Sequence, residues 1–283
     1  MSIVSSLRGA PIVRKHLKNW FAAGLTIRNH QNVDLLFRDG TKILNVESQI
    51  ACTLIFSYCE YSHRLGVYSS GDLLALNDIG SDISRKLKAA FTNEEISKCS
   101  TGGRFGAKES LLFSVIRKFK PLTIVETGVA QGVSSYVILK ALQLNGQGRL
   151  ISIDLPNRDP KGYRYRNGAL DGVYIPSALT SGWLVPEELR KFWVLKLGRS
   201  SEILPTLDGS VDMFFHDSEH SYENMMFEFN WAYSNLSKGG IIISDDIGWN
   251  KAFVDFAEKH RDMKPILNTD VGNLIQHFHA QPI

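Results

Sequence analysis

From about residue 110 onward the apolar residues switch repeatedly between two spacings. Five short runs rich in β-branched and aromatic residues read as strands: TIVETG (123–128), LISIDL (150–155), FWVLKLG (192–198), VDMFFHD (211–217) and GIIISDD (240–246). Between and around them lie stretches with apolar residues three and four apart: ESLLFSVIRKF (109–119), VSSYVILKALQLN (133–145), SYENMMFEFNWAYSNL (221–236) and NKAFVDFAEKHR (250–261). Two further apolar runs, KPIL (264–267) and NLIQHFH (273–279), close the chain. Strands alternating with helices predict an α/β fold, a Rossmann-like, mostly parallel sheet with helices on both faces.

Two regions lie outside that alternation. Residues 1–104 predict helices near 10–23, 46–65 and 82–91 without a motif, and form an expected helical N-terminal extension to a domain spanning 105–283. Residues 156–191 form a connection far longer than the usual two to six or so residues. It is rich in Gly, Pro and Arg, as in loops that cover a substrate.

The 283-residue length suits one large domain with an appendage, and 43% hydrophobic with 22% charged residues excludes wholesale disorder. No run approaches the ~20 apolar residues of a membrane span, and the first residues lack a secretory-signal pattern. Three scattered cysteines (Cys52, Cys59, Cys99) predict reduced thiols and a cytoplasmic location. The net charge of +3 hides a division. Residues 1–121 carry 17 Lys and Arg against 10 Asp and Glu, whereas residues 122–283 carry 15 against 19. Neither half reaches the density of a nucleic-acid binder, so neither nucleic acid nor membrane is an expected partner.

The chemistry concentrates where strands end, because ligands of open α/β sheets bind beyond the carboxyl ends. The first strand of this set runs into Glu126-Thr127-Gly128-Val129-Ala130-Gln131-Gly132. Gly128 permits a tight turn, and Gly132 opens a helix whose free N–H groups, with Ser134 and Ser135, can hold an anionic group. The GxxxG spacing differs from the nicotinamide fingerprint GxGxxG. Asp154 ends the next strand, where an acidic residue can accept both hydroxyls of a ribose. The alternative for this pair is an ordinary strand–glycine–helix turn with a capping aspartate. Farther on, Asp217, Asp245 and Asp246 end neighbouring strands. Three nearby carboxylates need neutralisation, and an all-oxygen set suits Mg2+. The alternative is that Asp245 or Asp246 caps the helix near Trp249. His220, three residues past Asp217, suits a general base, whereas His216 should face the other side of the sheet. Tyr222 and Asn224 could position a substrate; the alternative is that Tyr222 packs and Asn224 begins an exposed helix face.

The strings VETGVAQGVSS, LISIDLP, GWLVPEELRKFWVLKLGRSSEILP, DMFFHDSEHSYENMMFEF and GGIIISDDIGWNKAF resemble class I S-adenosylmethionine-dependent methyltransferases. Within that class they are similar to the metal-dependent O-methyltransferase branch acting on macrolide and aminocoumarin sugars. The resemblance implies a seven-stranded sheet whose last strand, supplied by NLIQHFH, is antiparallel. It implies that Glu126, Gly128, Gly132 and Ser134 hold the methionine portion of the donor, Asp154 its ribose, and Arg199 and Ser200 its adenine. It further implies Mg2+ on Asp217, Asp245 and Asp246, and His220 as catalytic base. The acceptor would be a small-molecule hydroxyl, on a sugar or glycosylated natural product. The extension would form a homo-oligomer interface or cover the acceptor. Two competing readings are a catalytically inactive donor-binding scaffold protein and a hydroxylase-like enzyme of the same fold; transfer of a labelled methyl group separates all three.

Overall fold

The structure is a computed structural model. It describes residues 23–27, 32–37, 41–47, 49–51, 53–54, 69–91, 105–156, 163–164, 170–171, 173, 175, 178–261, 263–265 and 279–280.

The front of the chain contains an antiparallel sheet that the sequence did not predict, lying between the helices expected near 10–23 and 46–65; within the latter, residues 49–51 and 53–54 are helical. Strands β1 (Ala23–Ile27), β2 (Asn32–Phe37) and β3 (Lys42–Glu47) pair in chain order. Leu35, Ile43 and Val46 point into the core, while Leu36 and Leu44 are exposed. These two outward leucines blur the alternation that would mark a half-buried strand. The helix expected near 10–23 falls almost wholly outside the described residues.

Helix α1 spans Ser70–Ala90, well beyond the expected 82–91. Ser69 and Asp72 cap it reciprocally, and Leu73, Leu76, Ile79, Ile83 and Leu87 form its buried stripe. Arg117 donates from Nε to Asp72 at 2.8 Å, which fastens α1 to α2 (Ala107–Phe119). Glu47 accepts from Ser84 and Lys88 and joins β3 to α1. The buried side chains of β2, β3 and α1 run without a break into those of α2, so the described part of the front shares a core with the α/β portion.

The main sheet is built from β4 (Thr123–Thr127), β5 (Arg149–Asp154), β8 (Trp193–Leu197), β9 (Val211–His216) and β10 (Leu236–Ser244). Its order is β10-β9-β4-β5-β8, with every pair parallel. Helix α3 (Val133–Asn145) links β4 to β5, and α4 (Tyr222–Asn235) links β9 to β10. α5 (Ala252–Lys259) follows β10. Between β5 and β8 lie two-residue strands, β6 (Tyr163–Arg164) and β7 (Leu170–Asp171). The α/β prediction therefore holds with five parallel strands, while the expected seven do not appear among the described residues. Near the C-terminus β11 (Lys264–Pro265) and β12 (His279–Ala280) pair antiparallel with each other, and most of NLIQHFH lies outside the described residues.

Both faces of the sheet are covered. Met213 and Phe215 of β9 join the core under α2 and α3, whereas Phe214 joins the one under α4 and α5, as a period of two requires. The chain moves from β4 outward through β5 to β8, then returns to place β9 on the other side of β4. The point where strand order reverses thus lies between the carboxyl ends of β4 and β9, where such sheets bind ligands.

Candidate functional site

Backbone hydrogen bonds continue just past the strands and align the proposed site residues in a row. Gly128 N–H donates to Ile153 O, Gly198 N–H to Asp154 O, Asp217 N–H to Thr127 O, and Asp245 N–H to His216 O, each at 2.9 Å. Gly128, Asp154, Asp217 and Asp245 therefore share one rim. Gly128 has φ +84, and a Cβ there would lie 1.9 Å from the Asp217 carbonyl oxygen. Only glycine lets the turn after β4 pass so close to the end of β9.

On the β4–β5 side the residues assigned to the donor bind one another. Glu126 is buried and accepts from the hydroxyls of Ser134, Ser135 and Ser152, each at 2.6 Å. Burial pushes its carboxyl above the usual range although those hydroxyls oppose the shift. Asp154 accepts from Val129 N–H at 3.0 Å and Ala130 N–H at 3.4 Å, and its other oxygen accepts from Ser181. Gly132, at φ +92, opens α3, and Gly182 sits against it. The end of the long connection is fastened here: Gly182 N–H donates to Ala130 O, Leu184 N–H to Gln131 O, and Trp183 Nε1 to the Gln131 side chain. Trp183 also packs on Phe91. Arg199 and Ser200 begin the short helix after β8, and Ser200 donates to Asn224 Oδ1 at 3.3 Å.

On the β9–β10 side the three aspartates do not form one group. Asp217 Oδ2 and Asp245 Oδ2 converge on the Lys108 ammonium, at 2.8 and 2.6 Å. Asp245 Oδ1 accepts the Asp246 N–H at 2.9 Å. Asp246, at φ +47, directs its carboxylate toward His220, with Oδ2 4.0 Å from Nε2. Among the described residues no group of three His, Cys, Asp or Glu side chains is placed to hold a metal ion. The position between Asp217 and Asp245 is one for a cation, but a lysine fills it, and the expected Mg2+ triad does not fit this arrangement. Neither aspartate caps a helix either: Asn250 Oδ1 accepts the Ala252 N–H that opens α5.

The charges of this trio depend on one another. Burial opposes the charge on Lys108, but Asp217 and Asp245, with Glu109 behind them, outweigh it and hold the amine well above its ordinary pKa. Burial, with Asp245 adding to it against Lys108, pushes Asp217 above the usual carboxylate range. Burial also works to raise Asp245, yet Lys108 prevails and holds it below the usual range.

His220 is buried beneath the rim, its ring centroid 5.4 Å from Trp249 and 5.2 Å from His216. His216 lies on the α4 side of the sheet, as expected, with Nδ1 2.6 Å from Glu228 Oε2. Glu228 is wholly buried and also accepts from Thr127 Oγ1 at 2.5 Å, Ser218 Oγ at 2.8 Å and Asn224 Nδ2 at 3.1 Å. Asn224 is thus part of this network rather than of an exposed face. Sequence reasoning missed both Lys108 and Glu228. Lys108 is 109 and 137 positions from its partners, and no spacing signals such a pair. Glu228 had a weak signal, as an acid four residues after Asn224 on a helix that must bury one face.

Parts of the chain are similar to known proteins. Residues 125–247 match a family described as a methyltransferase domain. A 44-residue stretch is 41% identical to an uncharacterized protein, R132, of Acanthamoeba polyphaga mimivirus, and spans 16% of this chain and a fifth of that relative. The O-methyltransferase NovP shares the fold at a TM-score of 0.52 and 16% identity, over 75% of this chain and all of NovP. The methyltransferase PaMTH1 of Podospora anserina, solved with S-adenosylhomocysteine, aligns at 0.49 and 15% identity over 72% of this chain and 88% of its own. The matched segment begins within β4 and ends just past Asp246, so the stretch that is similar to a methyltransferase domain contains the glycine turn, Asp154, His220 and the acidic rim.

Proposed function

We propose that this chain is an S-adenosylmethionine-dependent O-methyltransferase whose acceptor is a small-molecule hydroxyl, of the sugar or glycosylated natural-product class. The observation that carries the reading is the methyltransferase-domain match centred on the strand-order reversal, with Asp154 on one side and His220 with the acidic rim on the other. The acceptor class rests on the HDSEHSYENM and SDDIGWN strings.

Three of the four lone-pair sites of the Asp154 carboxylate are taken by Val129, Ala130 and Ser181, so one on Oδ2 is open to a ribose hydroxyl, and a second hydroxyl would take the place of Ser181. Gly128 and Gly132 bring main chain to the same end of the sheet. The donor supplies an electrophilic methyl on a sulfonium. The acceptor oxygen forms a bond to that carbon as the carbon–sulfur bond breaks toward sulfur, and the hydroxyl proton passes to His220. Most of the acceleration asked of the protein is alignment and charge placement, each worth several kcal/mol in favourable cases. The Mg2+ expected from the sequence has no step here, because Lys108 stands between the two aspartates it would bridge. Residues 1–104 enter as a proposed cover or subunit contact.

Calorimetry with S-adenosylhomocysteine tests donor binding, and the absence of heat at millimolar ligand refutes the reading. Transfer of a labelled methyl group into an extract of small molecules, with product identified by mass, then tests the reaction. The variant His220→Ala should bind S-adenosylhomocysteine unchanged yet lose about 100-fold or more in transfer; undiminished transfer removes the histidine from its role.

A further inference from the structure

The carboxylates that end β9 and β10 converge on a cation that belongs to the chain itself. We propose that the Lys108 ammonium is the resident cation of the acidic rim, held by Asp217 and Asp245 in the place of a divalent ion. The methyl-transfer reading supplies only the purpose of the rim; the identity of its cation stands on geometry.

Three observations carry it. Nζ lies 2.8 Å from Asp217 Oδ2 and 2.6 Å from Asp245 Oδ2, charge-assisted hydrogen bonds at the short end of the range. A divalent ion bound to both oxygens at about 2.1 Å would need the same space, so amine and metal exclude each other there. Second, the cluster is built rather than incidental. The Lys108 side chain is 15% exposed, and Asp245 is held in orientation by the Asp246 N–H on its other oxygen. Third, Lys108 is the second residue of α2, and a cation in the first turn runs against the helix dipole. The two aspartates account for a charge that the helix alone disfavours.

Lys108 is then a positioning residue. It lets two buried carboxylates stand together without a metal, and fixes where each points. Its third N–H has no hydrogen-bond acceptor among the described residues, since Glu109 Oε1 lies 3.8 Å away.

Titration of the chelator-dialysed full chain with Mn2+, followed by electron paramagnetic resonance, tests this without knowledge of the acceptor. Wild type and Lys108→Arg should bind Mn2+ weakly. Lys108→Met should bind about tenfold or more tightly, because two carboxylates lose their counter-charge, and adding Asp217→Asn should abolish the gain. A merely structural lysine would change stability without opening a metal site. Tight Mn2+ uptake by wild type, or no gain in Lys108→Met, overturns the proposal. Should that variant fail to fold, Lys108→Gln, neutral but still a hydrogen-bond donor, takes its place. Calorimetry with S-adenosylhomocysteine on the same samples separates the two ideas: no donor binding refutes methyl transfer and leaves the Mn2+ result to decide the cation.

Discussion

Replacing Gly128 by alanine probes the contact between the two halves of the site. A Cβ at Gly128 would stand 1.9 Å from the Asp217 carbonyl oxygen, 2.5 Å from its carbon and 2.9 Å from Ser218 N, all of them main-chain atoms. No flexible side chain can swing away, so β9 and its loop must shift. The φ of +84 adds left-handed strain of about 1–2 kcal/mol. Forced displacement of packed neighbours costs roughly 1–3 kcal/mol more. Gly128→Ala should therefore lose about 2–5 kcal/mol in equilibrium urea unfolding. Gly209 provides the control: its φ is +90, yet nothing lies within 4 Å of a Cβ built there. Gly209→Ala should show only the strain, and the difference between the variants isolates the contact. Equal losses in the two would refute the argument that β4 and β9 meet through the missing side chain.

Two other perturbations act by removing a buried hydrogen-bond partner. Asp72→Ala removes the reciprocal cap of α1 and leaves Arg117 with the Asn145 side chain but no counter-charge there, so denaturant unfolding should show a loss of about 2–4 kcal/mol, with Asp72→Asn losing less. Burial would raise the Glu228 carboxyl, but His216 beside it and its hydroxyl donors outweigh burial and hold it below its ordinary value. Its contribution to stability is therefore full above the unfolded carboxylate range near pH 4.3, and is lost as pH falls through the lower folded value. Glu228→Gln should be less stable than wild type at pH 7 by about 2–4 kcal/mol. The gap should narrow in melts taken between about pH 5 and pH 3; a gap independent of pH would mean that the carboxylate is not ionised in the fold.

The legible parts of the chain are those whose signals are local. Helix α3 runs from Val133 to Asn145 as read, because Gly132 and Gly146, both at positive φ, bracket its apolar periodicity. Four of the five core strands were read because buried parallel strands are nearly continuous apolar runs, and β8, an edge strand with no buried residue, was read from its aromatic and β-branched run. Strands β1–β3 were not, since Leu36 and Leu44 face outward and break the alternation. At the site, the sequence brought Asp217 and Asp245 to one rim correctly. It placed Asp246 with them because neighbours in sequence look like neighbours in space, but the left-handed turn at Asp246 parts the two carboxylates. Lys108 was illegible for a different reason. A lysine at the start of a helix looks like a solvated charge until the sheet brings two carboxylates to it.

That lysine also fixes an order of events. Its partners lie 109 and 137 positions later in the chain. As the chain leaves the ribosome, Lys108 emerges before the first strand of the parallel sheet, while Asp245 emerges only after the last. Until then the amine has one partner or none, and the rim cannot assemble. Closure of the cluster therefore marks completion of the whole sheet, and a chain cut short before β10 would carry the glycine turn without a finished site.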